Sequence, residues 1–70
     1  MMIDLTSEQL VLLADAGRHV PHRPHRNTLR RWAYAGIDGV FLETLKVGGR
    51  RFTSPEALRR FVERLTAPPG

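Results

Sequence analysis

The sequence predicts a small α+β fold in which helix, helix, two-stranded hairpin and helix follow one another along a single domain of 70 residues. Three observations predict it. Apolar residues recur at helical spacing in three separate stretches, Leu10/Leu13/Ala14, Leu29/Trp32/Ala33 and Leu58/Phe61/Val62/Leu65. A Gly48-Gly49 pair stands between two runs that read as strands. The chain is also short enough to bury only about 60% of its unfolded surface, which leaves one modest core and little room for an enclosed substrate cavity.

The first helix is expected over residues 7–16. Thr6 and Gln9 have the spacing of a capping box, which satisfies the open backbone of a helix start, and Gly17 is placed to end the helix in a left-handed conformation. The next segment, RHVPHRPHR, carries Pro21 and Pro24 at a spacing no helix tolerates. It predicts a rigid basic loop pinned to the core by Val20. Helical spacing resumes over residues 26–35, with Gly36 as the stop signal. At about 100° per residue, Asn27, Arg30, Arg31 and Tyr34 face away from Leu29, Trp32 and Ala33. Helix, connection, helix is the bare plan of a helix-turn-helix, here with a connection longer than the usual tight turn.

The run VFLETLKV alternates well enough for a strand, with Phe41, Leu45 and Val47 sharing a side, and RRFT is expected to return antiparallel to it. Two glycines fit a primed turn, which needs positive φ angles. Because an isolated hairpin is marginal in water, Phe41, Leu45, Val47 and Phe52 are expected to pack on the helices. Ser54, Pro55 and Glu56 give an N-cap, a proline at the first helical position and an acid in the first turn. The last helix then runs to the tail at residues 67–70, so that the core spans about residues 5–66.

Charge narrows the function classes. Eleven Lys+Arg against seven Asp+Glu leave a formal charge of +4, and ten of the eleven cations are arginine. Arginine's planar fork suits phosphate and guanine edges better than an ammonium does. No acid falls between Asp15 and Asp38, an interval that holds Arg18, Arg23, Arg26, Arg30 and Arg31 with His19, His22 and His25. Lys46, Arg50 and Arg51 bracket the glycine pair. There is no cysteine for a disulfide or a thiolate zinc site. No stretch is apolar for the roughly 20 residues a membrane helix needs, and the start lacks the basic and apolar regions of a secretory signal, so a cytosolic protein is expected. With 7% aromatics, most of them predicted inward, a stacking platform for RNA is not expected either.

The runs TLRRWAYAGI and LKVGGRRFTSPEAL resemble the winged helix-turn-helix domains of phage-type excisionases and of MerR-like regulators, over about residues 5–66. The resemblance implies a helix that enters the major groove of duplex DNA and a hairpin, the wing, that touches the neighbouring minor groove or backbone. Carried over to this chain, Thr28, Arg30 and Arg31 belong to the groove-entering helix, Trp32 to the core beneath it, and Arg50 and Arg51 to the wing. It also implies a protein of a phage or mobile element that bends DNA, self-associates on it cooperatively and sets the direction of a site-specific recombinase. A small transcriptional regulator of the same fold and a protein-interaction adaptor with a basic surface are the competing expectations.

The expected DNA-binding residues are therefore Arg26, Asn27, Thr28, Arg30, Arg31, Tyr34, Lys46, Arg50 and Arg51, with Arg18 and Arg23 as further loop contacts. A merely solvated helix face normally interleaves acids, and this one has none. His19, His22 and His25 have the look of a metal cluster, but Pro21 and Pro24 interrupt it and no acid joins it, so no metal or other cofactor is expected. Nor do Ser, His and carboxylate fall into a nucleophile arrangement, so no enzymatic activity is expected. Arg59, Arg60 and Arg64 are expected to form ion pairs within their own helix with Glu56 and Glu63.

Overall fold

A computed structural model describes residues 3–4 and 6–66. It is an α+β fold with three helices and one three-stranded antiparallel sheet. Strand β1 spans Val11–Leu12, a 3-10 helix η1 Leu13–His19, helix α1 Arg26–Tyr34, strands β2 and β3 Leu45–Val47 and Arg50–Thr53, and helix α2 Pro55–Thr66. The strand order is β1-β3-β2. The predicted tail at residues 67–70 and the start of the predicted core at residue 5 lie outside the described residues.

The N-terminal third departs most from expectation. In place of an α-helix over residues 7–16, the chain makes a turn, a two-residue strand and a long 3-10 helix. Asp4, not Thr6, organises the turn: one carboxylate oxygen accepts from the Thr6 backbone at 2.9 Å and its hydroxyl at 2.7 Å, the other from Ser7 Oγ at 2.9 Å. Glu8 reaches back to the Asp4 N–H at 2.9 Å. The reciprocal logic of a capping box is present, but no helix propagates from it. Val11 and Leu12 are instead recruited opposite Thr53 and Phe52. Pairing there gives the hairpin a third strand, which a two-stranded ribbon needs for stability.

Gly17 lies within η1 and is not among the residues with positive φ. Its role is close approach: a Cβ on it would sit 2.5 Å from the Pro24 carbonyl oxygen. The basic loop is thus narrower than predicted, residues 20–25, with Val20 half-buried against the core as expected. Its His22 and Arg23 adopt φ of 71° and 43°, a region that favours glycine.

Helix α1 and helix α2 form where the sequence predicts them. Gly36, at φ 72°, ends the first. Ser54 Oγ caps the second, accepting from the Ala57 N–H at 2.9 Å. Both residues of the Gly48-Gly49 turn have positive φ, 58° and 81°. A second tight turn, Asp38-Gly39, with φ of 51° and 80°, closes the bridge between Ile37 and Val40. That extra turn takes residues 40–44 out of the expected long strand. As a result Leu42 is buried, whereas Phe41 and Val47 are about half exposed and pack on no helix core. Val62 likewise faces outward from α2.

The core comprises Ile3, Leu13, Ala16, Leu29, Leu42, Ala57, Leu58 and Phe61. Trp32 packs against it as predicted, its ring 5.1 Å from that of Phe61. Among the described residues no helix is long and apolar enough to cross a membrane.

Candidate functional site

The arginines divide by what holds them. Arg60 of α2 is fixed from three directions: Nε and Nη2 grip the two oxygens of Glu43 at 3.0 and 2.9 Å, and Nη2 also donates to Glu8 at 3.0 Å. Glu8 in turn accepts from Ser54 Oγ at 2.6 Å. The Ser54 hydroxyl, the Asp4 N–H and Arg60 hold the Glu8 carboxyl down at about 2, while Glu43 and then Glu8 raise the Arg60 guanidinium above its ordinary value. Arg64 stands 4.0 Å from Glu43. Only Arg59 pairs within the helix, with Glu63 at 3.7 Å. The expected intrahelical ladder is therefore replaced for Arg60 and Arg64 by partners from the N-terminal turn and the segment before β2. Sequence spacing carries no signal for these, since Glu8 is 52 residues away from Arg60 and Glu43 is 17 away.

The cations of α1 and the hairpin are held differently. Arg26, Arg30 and Tyr34 recur at intervals of four and so form one row along α1. This row lines a cleft of about 360 Å³ together with Arg50 and Arg51 of β3 and with Leu12, Leu13 and Ala14. Among the described residues none of these four arginines pairs with a carboxylate. The β2–β3 register places Lys46 directly opposite Arg51. Like charges in that position destabilise a sheet, so the hairpin keeps a cationic tip against its own stability.

Arg51 is the ordered member of the cleft. Nη1 donates to Thr44 Oγ1 at 2.8 Å, and the guanidinium carbon lies over the Tyr34 ring, 5.0 Å from its centroid. Neither Thr44 nor this stacking was readable from spacing. Asn27 and Arg31 are exposed on the neighbouring row of α1, outside the cleft, and Thr28 is half-buried with its N–H bonded to the His25 carbonyl. Lys46 is exposed but does not line the cleft. Arg18 and Arg23 line a separate depression with Asp15 and Gly17.

His25 has a role the sequence reading missed. Its Nδ1 accepts from the Asn27 N–H at 3.1 Å and caps α1, a task usually given to Ser, Thr, Asp or Asn. His19 at the end of η1 and His22 and His25 of the loop gather no metal ligand set among the described residues. Chemically, the assembled surface offers fixed and free guanidinium donors beside an apolar wall.

No curated protein and no solved structure matches the chain. Residues 12–66, well over half of the sequence and running from the second residue of β1 to the end of α2, match the family described as "Protein of unknown function (DUF1580)", and the chain belongs to that family.

Proposed function

We propose that this chain is a winged helix-turn-helix protein that binds duplex DNA and acts by binding alone. In this reading η1 and α1 are the helix-turn-helix, α1 enters the major groove, and the β2–β3 hairpin is the wing, steadied by β1. The observation that carries it is the convergence of Arg26, Arg30, Arg50 and Arg51, from two different elements, on one cleft without a carboxylate partner among the described residues. Exposed Asn27 and Arg31 supply the chemistry for base edges, where each good bidentate pair contributes about 1–3 kcal/mol of discrimination. The arrangement suits an excisionase-like directionality factor that lies cooperatively on adjacent sites, bends them and serves a site-specific recombinase. A transcriptional regulator of the same fold would grip DNA identically.

Fluorescence anisotropy of a labelled duplex across a salt series tests the reading. If about five phosphates are neutralised, log K falls with log salt at a slope of roughly −4 to −5. Arg31→Ala should then lower affinity for a specific site more than for random DNA. A flat salt response, or equal binding to an acidic protein, would replace DNA by a protein partner and favour the adaptor.

A further inference from the structure

We propose that the cleft between α1 and the hairpin is a seat for one phosphodiester of the DNA backbone together with its deoxyribose, and that Arg51 is its prepositioned donor. The inference rests on the duplex-binding reading and assigns one backbone unit to one place.

The lining of the cleft is two-sided. Arg26, Arg30 and Arg50 are exposed and free of carboxylates among the described residues, whereas Leu12, Leu13 and Ala14 form an apolar wall. A bare anion has no use for the wall. A sugar–phosphate unit matches both halves, because the phosphate oxygens meet the guanidinium groups and the apolar face of the ring meets Leu12 and Ala14. The size agrees: about 360 Å³ would hold about a dozen waters at roughly 30 Å³ each, enough for one such unit.

Arg51 differs from its neighbour Arg50. Arg50 is exposed with no hydrogen bond from its side chain among the described residues, whereas Arg51 is half-buried, bonded to Thr44 and stacked on Tyr34. Ordering a free arginine side chain costs rotamer entropy on binding, and for Arg51 much of the ordering is already done before a ligand arrives. Bonding through Nη1 to Thr44 leaves the other N–H groups of the fork as donors. Thr44 and Tyr34 are thus positioning residues. Stacking also occupies a face of Tyr34 that would otherwise meet a sugar, so Tyr34 acts through Arg51.

The test uses the intact chain and duplexes in which one phosphate at a time is replaced by an uncharged methylphosphonate. At one linkage per bound copy the affinity should fall by about tenfold or more, the factor equivalent to 1.4 kcal/mol, while its neighbours lose far less. Thr44→Val should weaken the normal duplex severalfold, leave far-ultraviolet circular dichroism unchanged, and have no further effect on the duplex neutralised at that linkage. Arg51→Lys should weaken binding with the salt slope nearly kept, since the charge remains and the fork is lost. Salt-steep binding with no linkage standing out would overturn the seat while leaving the DNA reading intact. If no duplex binds, an inorganic phosphate titration followed through the arginine Nε–H resonances decides. Saturable shifts at Arg30 and Arg51 would then overturn the assignment to DNA and leave an anion site alone, and their absence would overturn the seat altogether.

Discussion

Gly17→Ala is expected to destabilise the fold even though alanine is the better helix former. Two effects of opposite sign compete. Replacing glycine in a compatible conformation normally stabilises by about 0.4–1 kcal/mol, chiefly by restricting the unfolded chain, and the φ of Gly17 is not positive. Against this, the new Cβ would sit 2.5 Å from Pro24 O and 3.7 Å from Leu29 Cδ1. Real Cβ contacts essentially never fall below 3.0 Å, so η1 and the loop must separate by about half an ångström. The obstructing atom is backbone, it belongs to a proline with fixed φ, and it lies next to a loop that already holds His22 and Arg23 at positive φ. No flexible side chain can yield. Overpacking of this kind costs about 1–3 kcal/mol, which set against the gain leaves a net loss centred on about 1.3 kcal/mol. With about 4–8 °C per kcal/mol for a domain of this size, the melting temperature should fall by about 5–10 °C, read by circular dichroism and by the emission of Trp32, the single tryptophan. An unchanged or raised melting temperature would refute the account, because it would mean that the loop does not rest on η1 at Gly17.

Three further outcomes are expected. Ser54→Ala removes both the cap on Ala57 and the hydroxyl that donates to Glu8 at a fully buried position, and should cost about 1–3 kcal/mol in urea unfolding; a loss of a few tenths would show that the cap is dispensable. Glu8 is held at about 2 from an ordinary 4.5, so its contribution is fully present above about 4.5 and is lost as pH falls toward about 2; Glu8→Gln should lower stability at neutral pH and flatten the acid limb of the stability profile, and an unaltered limb would assign it to other groups. His25→Asp keeps an acceptor for the Asn27 N–H and adds a negative charge at the start of α1, which should raise stability by about 0.3–1 kcal/mol yet weaken duplex binding; a rise in both would remove α1's start from the interface.

Local chemistry made some elements legible and long-range pairing hid others. Ser54-Pro55-Glu56, Gly36 and Gly48-Gly49 act through the φ angles and capping atoms of their own few residues, and each does what its spacing predicts. Val11-Leu12 lies within the stretch whose Leu10/Leu13/Ala14 spacing reads as helical, and becomes a strand because β3 offers an unpaired edge some 40 residues later. Phe41 was expected inside because strict alternation was extended back from Leu45. The Asp38-Gly39 turn resets the phase, and Leu42 takes the buried place. Helical spacing groups Asn27, Arg30, Arg31 and Tyr34 on one face of α1, but the split of that face, Arg30 and Tyr34 joining Arg26, Arg50 and Arg51 while Asn27 and Arg31 stay outside, and the separation of Arg18 and Arg23 into another depression, depend on how the hairpin and loop fold back.

The same distinction decides how the net charge should be understood. A balance of +4 over the whole chain suggests a weak, diffuse field. The ion pairs of α2 change that, since Arg59, Arg60 and Arg64 stand against Glu63, Glu8 and Glu43, three cations with three acids. The eight remaining cations, Arg18, Arg23, Arg26, Arg30, Arg31, Lys46, Arg50 and Arg51, all fall within residues 18–51, where Asp38 is the one acid not engaged by α2. Pairing one set of charges therefore leaves the other concentrated. At a Debye length of about 8 Å in physiological salt, such a cluster acts on a polyanion as a unit at close range and fades quickly beyond. Glu43→Gln would raise the formal net charge by one and remove the carboxylate partner that Arg60 and Arg64 share, with Arg60 still bonded to Glu8, and it would add no donor to the cleft. If the cleft and α1 determine binding, that variant should lose stability but gain little affinity for a duplex, whereas a gain as large as that from an added cation at the hairpin tip would show that net charge, not its placement, governs the interaction.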